Sequence, residues 1–260
     1  MLMHRPTLLL YVLAMIALYF VQSYFGLWPM LILSAAYVAW LTYASLNFDL
    51  DFYVKAYHKG NTEDKVVALT FDDGPDPSCT PVVLDILKER NVKATFFLIG
   101  KKIEASEVLV KRIDSEGHII GNHSFVHQTI LTFIPSFLVR RDLNKTTDLI
   151  ETIIGKRTDY FRPPFGVTTP AIGWALSIMK IKTIGWNIRT FDTYYKDEEK
   201  ILQRIKDGLE PGSIILLHDV LPIYKTLLPK ILDLLEERSY KVVPLDKLIK
   251  CEPYLETKNV

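Results

Sequence analysis

The sequence predicts an α/β protein: a (β/α) barrel of reduced size, with about seven strand–helix units, behind a helical hairpin that enters a membrane. Two observations carry this reading. From Lys65 onward strand-like and helix-like segments alternate, the pattern of parallel strands with helices packed outside. Ahead of that region, from Pro6 to Phe48, the chain has no charged residue. No glycine-rich phosphate loop follows the first strand, which argues against a flat nucleotide-binding sheet and against a nucleotide cofactor.

As one straight helix the uncharged run would reach roughly 64 Å, against a hydrocarbon core of about 30 Å. Gly26-Leu27-Trp28-Pro29 supplies a fold point, giving spans at 8–25 and 30–46 within an anchor over residues 1–48. The alternatives are a single anchor or a signal peptide. A cleaved signal is disfavoured because a second apolar segment follows and no small-residue cleavage pattern intervenes. The turn carries no Lys or Arg, whereas Arg5 precedes the first span and Lys55, Lys59 and Lys65 follow the second. The positive-inside rule then favours the cytoplasmic side for both ends of this two-span membrane protein.

Residues 49–64 read as a connector of mixed charge, 65–250 as the main domain and 251–260 as a tail. Within the domain, strands are expected at 66–70, 94–99, 119–120, 183–186, 213–217 and 241–244. Helices are expected at 80–90, 107–116, 136–154, 169–179, 198–209 and 226–238, with Gly117 and Gly155 as stops. The formal net charge of +1 and the scattered Lys and Arg show no nucleic-acid footprint. Cys79 and Cys251 have neither zinc-site nor CxxC spacing.

Asp72 and Asp73 follow the first apolar strand and precede Gly74-Pro75. Adjacent carboxylates repel and tend to neutralise when buried. A cation resolves this by holding one and leaving its neighbour free for proton transfer. Spacing leaves open which is ligand and which is base. His123 and His127 lie four residues apart; on a helical turn that places both on one face, about 5–6 Å apart at Cβ. Two imidazoles and a carboxylate suit zinc with open positions, and other divalent ions as well.

In a barrel, the carboxyl ends of strands converge on one face. Asp72, Asp73, His123, His127, Arg162, Asp192 and His218 all fall there. His218 is the candidate general acid, or else a strand-end histidine bonded to Asp219. His118 reads as a structural histidine, Cys79 as a packing residue and 95–98 as barrel core; His4 and His58 have no implied partner.

Residues 70–75 and 123–127, with Arg162-Pro163-Pro164-Phe165-Gly166 and Leu216-Leu217-His218-Asp219, together resemble the polysaccharide deacetylases with a NodB homology domain, carbohydrate esterase family four. The motifs stand in the family's order and span 65–250. The resemblance implies a deformed NodB-like (β/α) barrel and metal-dependent hydrolysis of the N-acetyl group on an amino sugar of a polysaccharide or cell-envelope glycan. It also implies that Asp72 is the base and that Asp73, His123 and His127 hold the metal. Arg162 would pair with the base and keep it ionised. The Phe165 N–H would be an oxyanion donor, His218 the acid, and Asp192 the carboxylate that orients it. Pro163, Phe165, Trp186 and Leu217 would meet the substrate, the last two walling the acetyl methyl.

The family's third motif usually has Tyr where Phe165 stands. The fourth usually reads Asp-x-x-Asp-Trp, but here Arg189 replaces the first acid and Thr193 the aromatic. That change bears on substrate choice more than on the reaction. Two spans also make a lipid-linked saccharide a natural substrate, for deacetylation or deformylation. A non-catalytic sugar-binding scaffold predicts loss of a ligand, the base or the acid, and all are present.

Overall fold

The computed structural model describes residues 4–128, 131 and 133–255; residues 1–3 of the expected anchor and 256–260 of the expected tail lie outside the described residues. Two apolar helices form the hairpin, α1 (His4–Phe25) and α2 (Trp28–Leu46). Gly26 turns the chain at φ 68°, and Pro29 sits in the first turn of α2, where its missing N–H costs nothing. Tyr11 holds the helices together, stacking on Tyr37 at 4.2 Å and bonding Ser34 at 3.0 Å. Both helices are long and apolar enough to cross a membrane, and they leave their apolar surfaces exposed.

The domain is one parallel sheet wrapped by helices. Its strands are β1 (Ala56–Tyr57), β2 (Val66–Asp72), β3 (Thr95–Leu98), β4 (Ile119–Asn122), β5 (Tyr160–Phe161), β6 (Lys182–Ile184), β7 (Ile188–Arg189), β8 (Ile214–His218) and β9 (Lys241–Val242). They run in the order β1-β6-β5-β4-β3-β2-β8-β7, with β9 beside β2. Among the described residues no pairing joins β7 to β1, so the barrel is curled but open. The expectation of about seven strands therefore falls short of this count. Two-residue strands such as β5 and β7 are too short to show an alternation, and β1 lies in the stretch read as a connector. That stretch is part of the domain: Phe52, Tyr53 and Val54 are buried and β1 pairs with β6.

The helices are α3 (Thr80–Glu89), α4 (Gly100–Glu104), α5 (Glu107–Ser115), α6 (Ser136–Ile154), α7 (Pro170–Met179), α8 (Glu198–Gly208), α9 (Tyr224–Glu237) and α10 (Leu245–Ile249). Period-two alternation divides the core. Val67, Leu69 and Phe71 of β2, Phe96 and Leu98 of β3, and Ile215 and Leu217 of β8 pack outward with residues of the helices. Each such buried side chain contributes about 1.5–3 kcal/mol. Ala68, Phe97, Tyr160, Ile184, Trp186, Ile214 and Leu216 fill the inside.

A third cluster joins Ala44 of α2 to Phe52, Tyr53, Val139, Leu143, Phe161 and Ile172, seating the base of the hairpin on α6 and α7. The Thr168 N–H donates to the Ser45 carbonyl at 3.2 Å across the same junction. Residues 251–255, expected to be tail, lie against the barrel: Tyr254 Oη accepts from the Ile120 N–H at 2.9 Å. The Pro253 carbonyl accepts from the Asp159 N–H at 2.7 Å.

Candidate active site

Asp72 ends β2 on the inward face, in step with Ala68 and Thr70. Arg162, fully buried after β5, meets it there: Nη1 donates to Asp72 Oδ1 at 2.7 Å and to Thr70 Oγ1 at 2.8 Å. Nη2 donates to the Gly185 carbonyl at 2.7 Å and Nε to that of Ile184 at 3.2 Å. The guanidinium lies over the Phe97 ring at 4.2 Å. Burial pushes the Arg162 pKa down and the Asp72 charge opposes this. Every bond fixes the plane of the group, so the Asp72 carboxylate is held in one orientation.

Asp73 leaves the strand at φ 71°, which separates the two neighbouring carboxylates. Lys102 Nζ donates to its carbonyl at 2.7 Å. Asp73 Oδ1 lies 3.5 Å from His123 Nε2 and 3.2 Å from His127 Nε2, and the ligand atoms of the three residues all fall within 4.8 Å of one another. The histidines are not on a helical turn, contrary to expectation. They lie on a loop after β4 in which Ser124 (φ 65°) and His127 (φ 46°) are left-handed. Side chains replace the missing helical bonds: Asn122 Oδ1 accepts from the Ser124 N–H at 2.8 Å and Asp142 Oδ1 from that of Phe125 at 2.8 Å.

These residues fit a metal ion. His123 Nδ1 lies 2.8 Å from the Arg162 carbonyl, an acceptor that selects the Nδ1–H tautomer and leaves the Nε2 lone pair toward Asp73. Among the described residues, buried Asp73 Oδ1 has no hydrogen-bond partner despite the imidazoles around it. Burial, then the His123 charge, lowers the His127 pKa to about 4, which keeps it a neutral ligand.

His218, at the end of β8, has Asp192 as its partner: Nδ1 to Oδ1 is 2.8 Å, and the His218 N–H donates to Oδ2 at 2.9 Å. Burial opposes the charged imidazole, but the Asp192 hydrogen bond and charge, with Asp72 and Asp73, outweigh it and raise the pKa to about 9. Tyr224 donates its hydroxyl to Asp192 Oδ2, a contact no motif announces. Asp219 turns the other way. It is buried against Gly74 and accepts from Thr80 Oγ1, and burial raises its pKa to about 7.

A cleft of about 270 Å³ collects Asp72, Asp73, His123, His127 and His218, with Phe165, Trp186, Arg189, Thr193 and Leu216 among its walls. Phe165 is left-handed at φ 60°. Among the described residues its N–H has no hydrogen-bond acceptor, and the bonds of the short 3-10 turn Pro164–Gly166 start at Gly166 and Val167. Two expectations need correcting. Leu217 is fully buried on the outward face, and Leu216 lines the cleft in its place; alternation puts 216, not 217, on the His218 face. Pro163 is buried below the cleft wall and its carbonyl accepts from Gly166.

Among the residues read as structural, His118 is buried and accepts from the Ala94 N–H at 3.1 Å. His58 bridges Asp49 and Asp51, a pairing not foreseen.

Comparison with known proteins places the chain in a family. Residues 59–184 match the family model described as polysaccharide deacetylase. The chain is 39% identical over 153 residues to a peptidoglycan-N-acetylglucosamine deacetylase of Bacillus cereus, covering 58% of this chain and 55% of that protein. It thus spans about half the length of that relative. It is 32% identical to the peptidoglycan-N-acetylmuramic acid deacetylase PdaA of Bacillus subtilis, covering 75% of each. The PdaA structure, a family 4 carbohydrate esterase, superposes with a TM-score of 0.69 at 31% identity, covering 80% of this chain and 89% of PdaA. A CE4 family pseudoenzyme from Bacillus anthracis superposes with a TM-score of 0.70 at 29% identity, covering 75% and 69% of the two chains. The chain belongs to the polysaccharide deacetylase family.

Proposed function

We propose that the chain hydrolyses the N-acetyl amide of an amino sugar in a cell-envelope glycan, releasing acetate and a free amine. The observation that supports this best is the meeting of Asp72, braced by Arg162, and His218, braced by Asp192, beside the Asp73–His123–His127 cluster in one cleft. The pseudoenzyme neighbour means that fold alone does not decide activity, and the reading rests on this constellation of side chains.

A divalent ion held by Asp73, His123 and His127, zinc by its donor set, would supply Lewis acidity to the amide carbonyl and the attacking water. Asp72 takes the proton of that water. The Phe165 N–H donates to the carbonyl oxygen as the carbon turns tetrahedral. His218, charged at neutral pH, gives its proton to the nitrogen as the C–N bond breaks, and Asp192 steadies the imidazolium before transfer. Trp186 and Leu216 wall the space for the acetyl methyl. Acetate release from N-acetylglucosamine oligomers, with Asp72→Asn and His218→Ala as controls, tests this. Undiminished turnover in both variants would sink the assignment.

A second reading changes the substrate to a lipid-linked saccharide at the membrane. Phe48, separated from α2 by Asn47 alone, packs its ring 5.7 Å from that of Trp186 in the cleft wall. With α1 and α2 as a membrane anchor crossing twice, the cleft opens beside the bilayer. The charge bias at the span ends favours the cytoplasmic face, where a lipid-linked precursor is the available N-acetylated glycan. Reporter fusions at the carboxyl end test the side. A reporter active only outside the membrane removes this reading and leaves the envelope glycan.

A further inference from the structure

The altered fourth motif leaves charge at the cleft that the reaction does not use. Arg189 is exposed on the cleft wall, with its guanidinium 5.8 Å from the Trp186 ring and 4.8 Å from the Phe191 ring. Arg204, from α8, reaches the same place. Its Nε donates to the Arg189 carbonyl at 3.1 Å, and its guanidinium lies 4.5 Å from the same Phe191 ring. Phe191 is held left-handed at φ 56°, and one ring therefore carries two cations. Among the described residues neither arginine has a carboxylate within ion-pair distance. Asp207 lines the neighbouring groove, but accepts from Gln203 Nε2 at 2.7 Å. Asp72 and Asp73 line the same cleft as Arg189 but face Arg162 and the histidine pair, and Asp192 is buried in its pair with His218.

Two guanidiniums converging without a counter-charge repel, and each presents planar donors shaped for a carboxylate or phosphate. A neutral amino sugar offers them nothing ionic. We propose that Arg189, seconded by Arg204, is a specificity determinant that binds an anionic substituent of the amino sugar whose N-acetyl group lies at the cleft floor. The substituent is a carboxylate or a phosphate. This rests on the deacetylase reading for its reaction, but the binding step can be judged separately.

The experiment uses the full chain in detergent with three probes: an N-acetylglucosamine oligomer, an oligomer containing N-acetylmuramic acid, and N-acetylglucosamine 1-phosphate. Calorimetry gives binding and acetate release gives kcat and KM. The expected result is tighter binding of at least one charged probe. Arg189→Gln lowers the charged-to-neutral ratio about ten- to a hundredfold, mainly through KM, and Arg204→Gln lowers it less. Preference for the muramic acid oligomer identifies the carboxylate and preference for the sugar phosphate identifies the phosphate. Equal binding of neutral and charged probes, or a ratio unmoved by Arg189→Gln, overturns the proposal. Failure to release acetate from any probe overturns the deacetylase reading instead, while the binding ratio still decides the anion site.

Discussion

Asp72 and His218 are direct partners across the β2–β8 pairing. The proposed base and acid are thus held one strand spacing apart, about 4.8 Å, by backbone rather than by loops. The register fixes the gap between the place where a proton is taken and the place where it is returned.

The two adjacent aspartates should separate by experiment. Asp72→Asn is expected to lower kcat about 10²- to 10⁴-fold while the purified protein keeps its metal. Asp73→Asn is expected to lose metal and activity together. Chelation of the wild type should abolish turnover and lower Tm, with both restored by added zinc. Elemental analysis beside acetate release checks each; full metal content in Asp73→Asn would contradict the ligand assignment.

The pH profile follows from His218. Its pKa is raised from 6.5 to about 9, so the donating form persists through neutrality and is lost as pH rises through about 9. Activity should fall on that alkaline limb. Asp192→Asn removes the hydrogen bond and charge that hold the proton, and should move the limb toward lower pH. The same sign applies to stability: this ionisation contributes fully below pH 6.5 and fades as pH rises through 9. A limb that stays in place in Asp192→Asn would show another group to be the acid.

Leu216 and Leu217 should behave oppositely. Leu217→Ala empties a packed site and should cost about 2–5 kcal/mol of stability, seen by thermal or denaturant unfolding. Leu216→Ala enlarges the cleft beside Trp186 and should shift acyl preference toward groups larger than acetyl. Activity on N-propionyl against N-acetyl substrates reads this directly.

Gly166 has φ 71°, and a Cβ added there would stand 2.7 Å from Trp186 Cη2. Gly166→Ala should therefore cost about 1–3 kcal/mol and displace Trp186, reducing turnover. Thermal unfolding together with tryptophan fluorescence tests it; a variant identical to wild type in both would remove the argument.

Much of this arrangement was legible in the residues. Helix α6 runs over the expected stretch because its apolar period is long and Gly155 stops it. The carboxyl-end rim was readable at Asp72, Asp73, His123 and His218, which follow apolar strands, whereas the two-residue strands before Arg162 and Asp192 leave no such run. Leu216 was equally readable: counting by twos from His218 places it on the cleft face. The HxxxH loop was not, because its left-handed turns depend on Asn122 and Asp142 reaching back to the backbone. Tyr224 and Phe48 were beyond reach for a different reason. Each meets the site only through the fold, Tyr224 across α9 to Asp192 and Phe48 across the hairpin junction to Trp186.

That junction has a mechanical consequence. Only Asn47 stands between α2 and Phe48, and the segment after it is packed into the domain. With the hairpin in a bilayer, the catalytic unit is a fixture rather than a ball on a string. It does not sweep a volume in search of distant sugar, as a flexibly linked domain would. With the proposed anchor in place, its working range would be a thin layer at a set height above the lipid, and encounter would depend on two-dimensional diffusion or on delivery of the glycan to that layer.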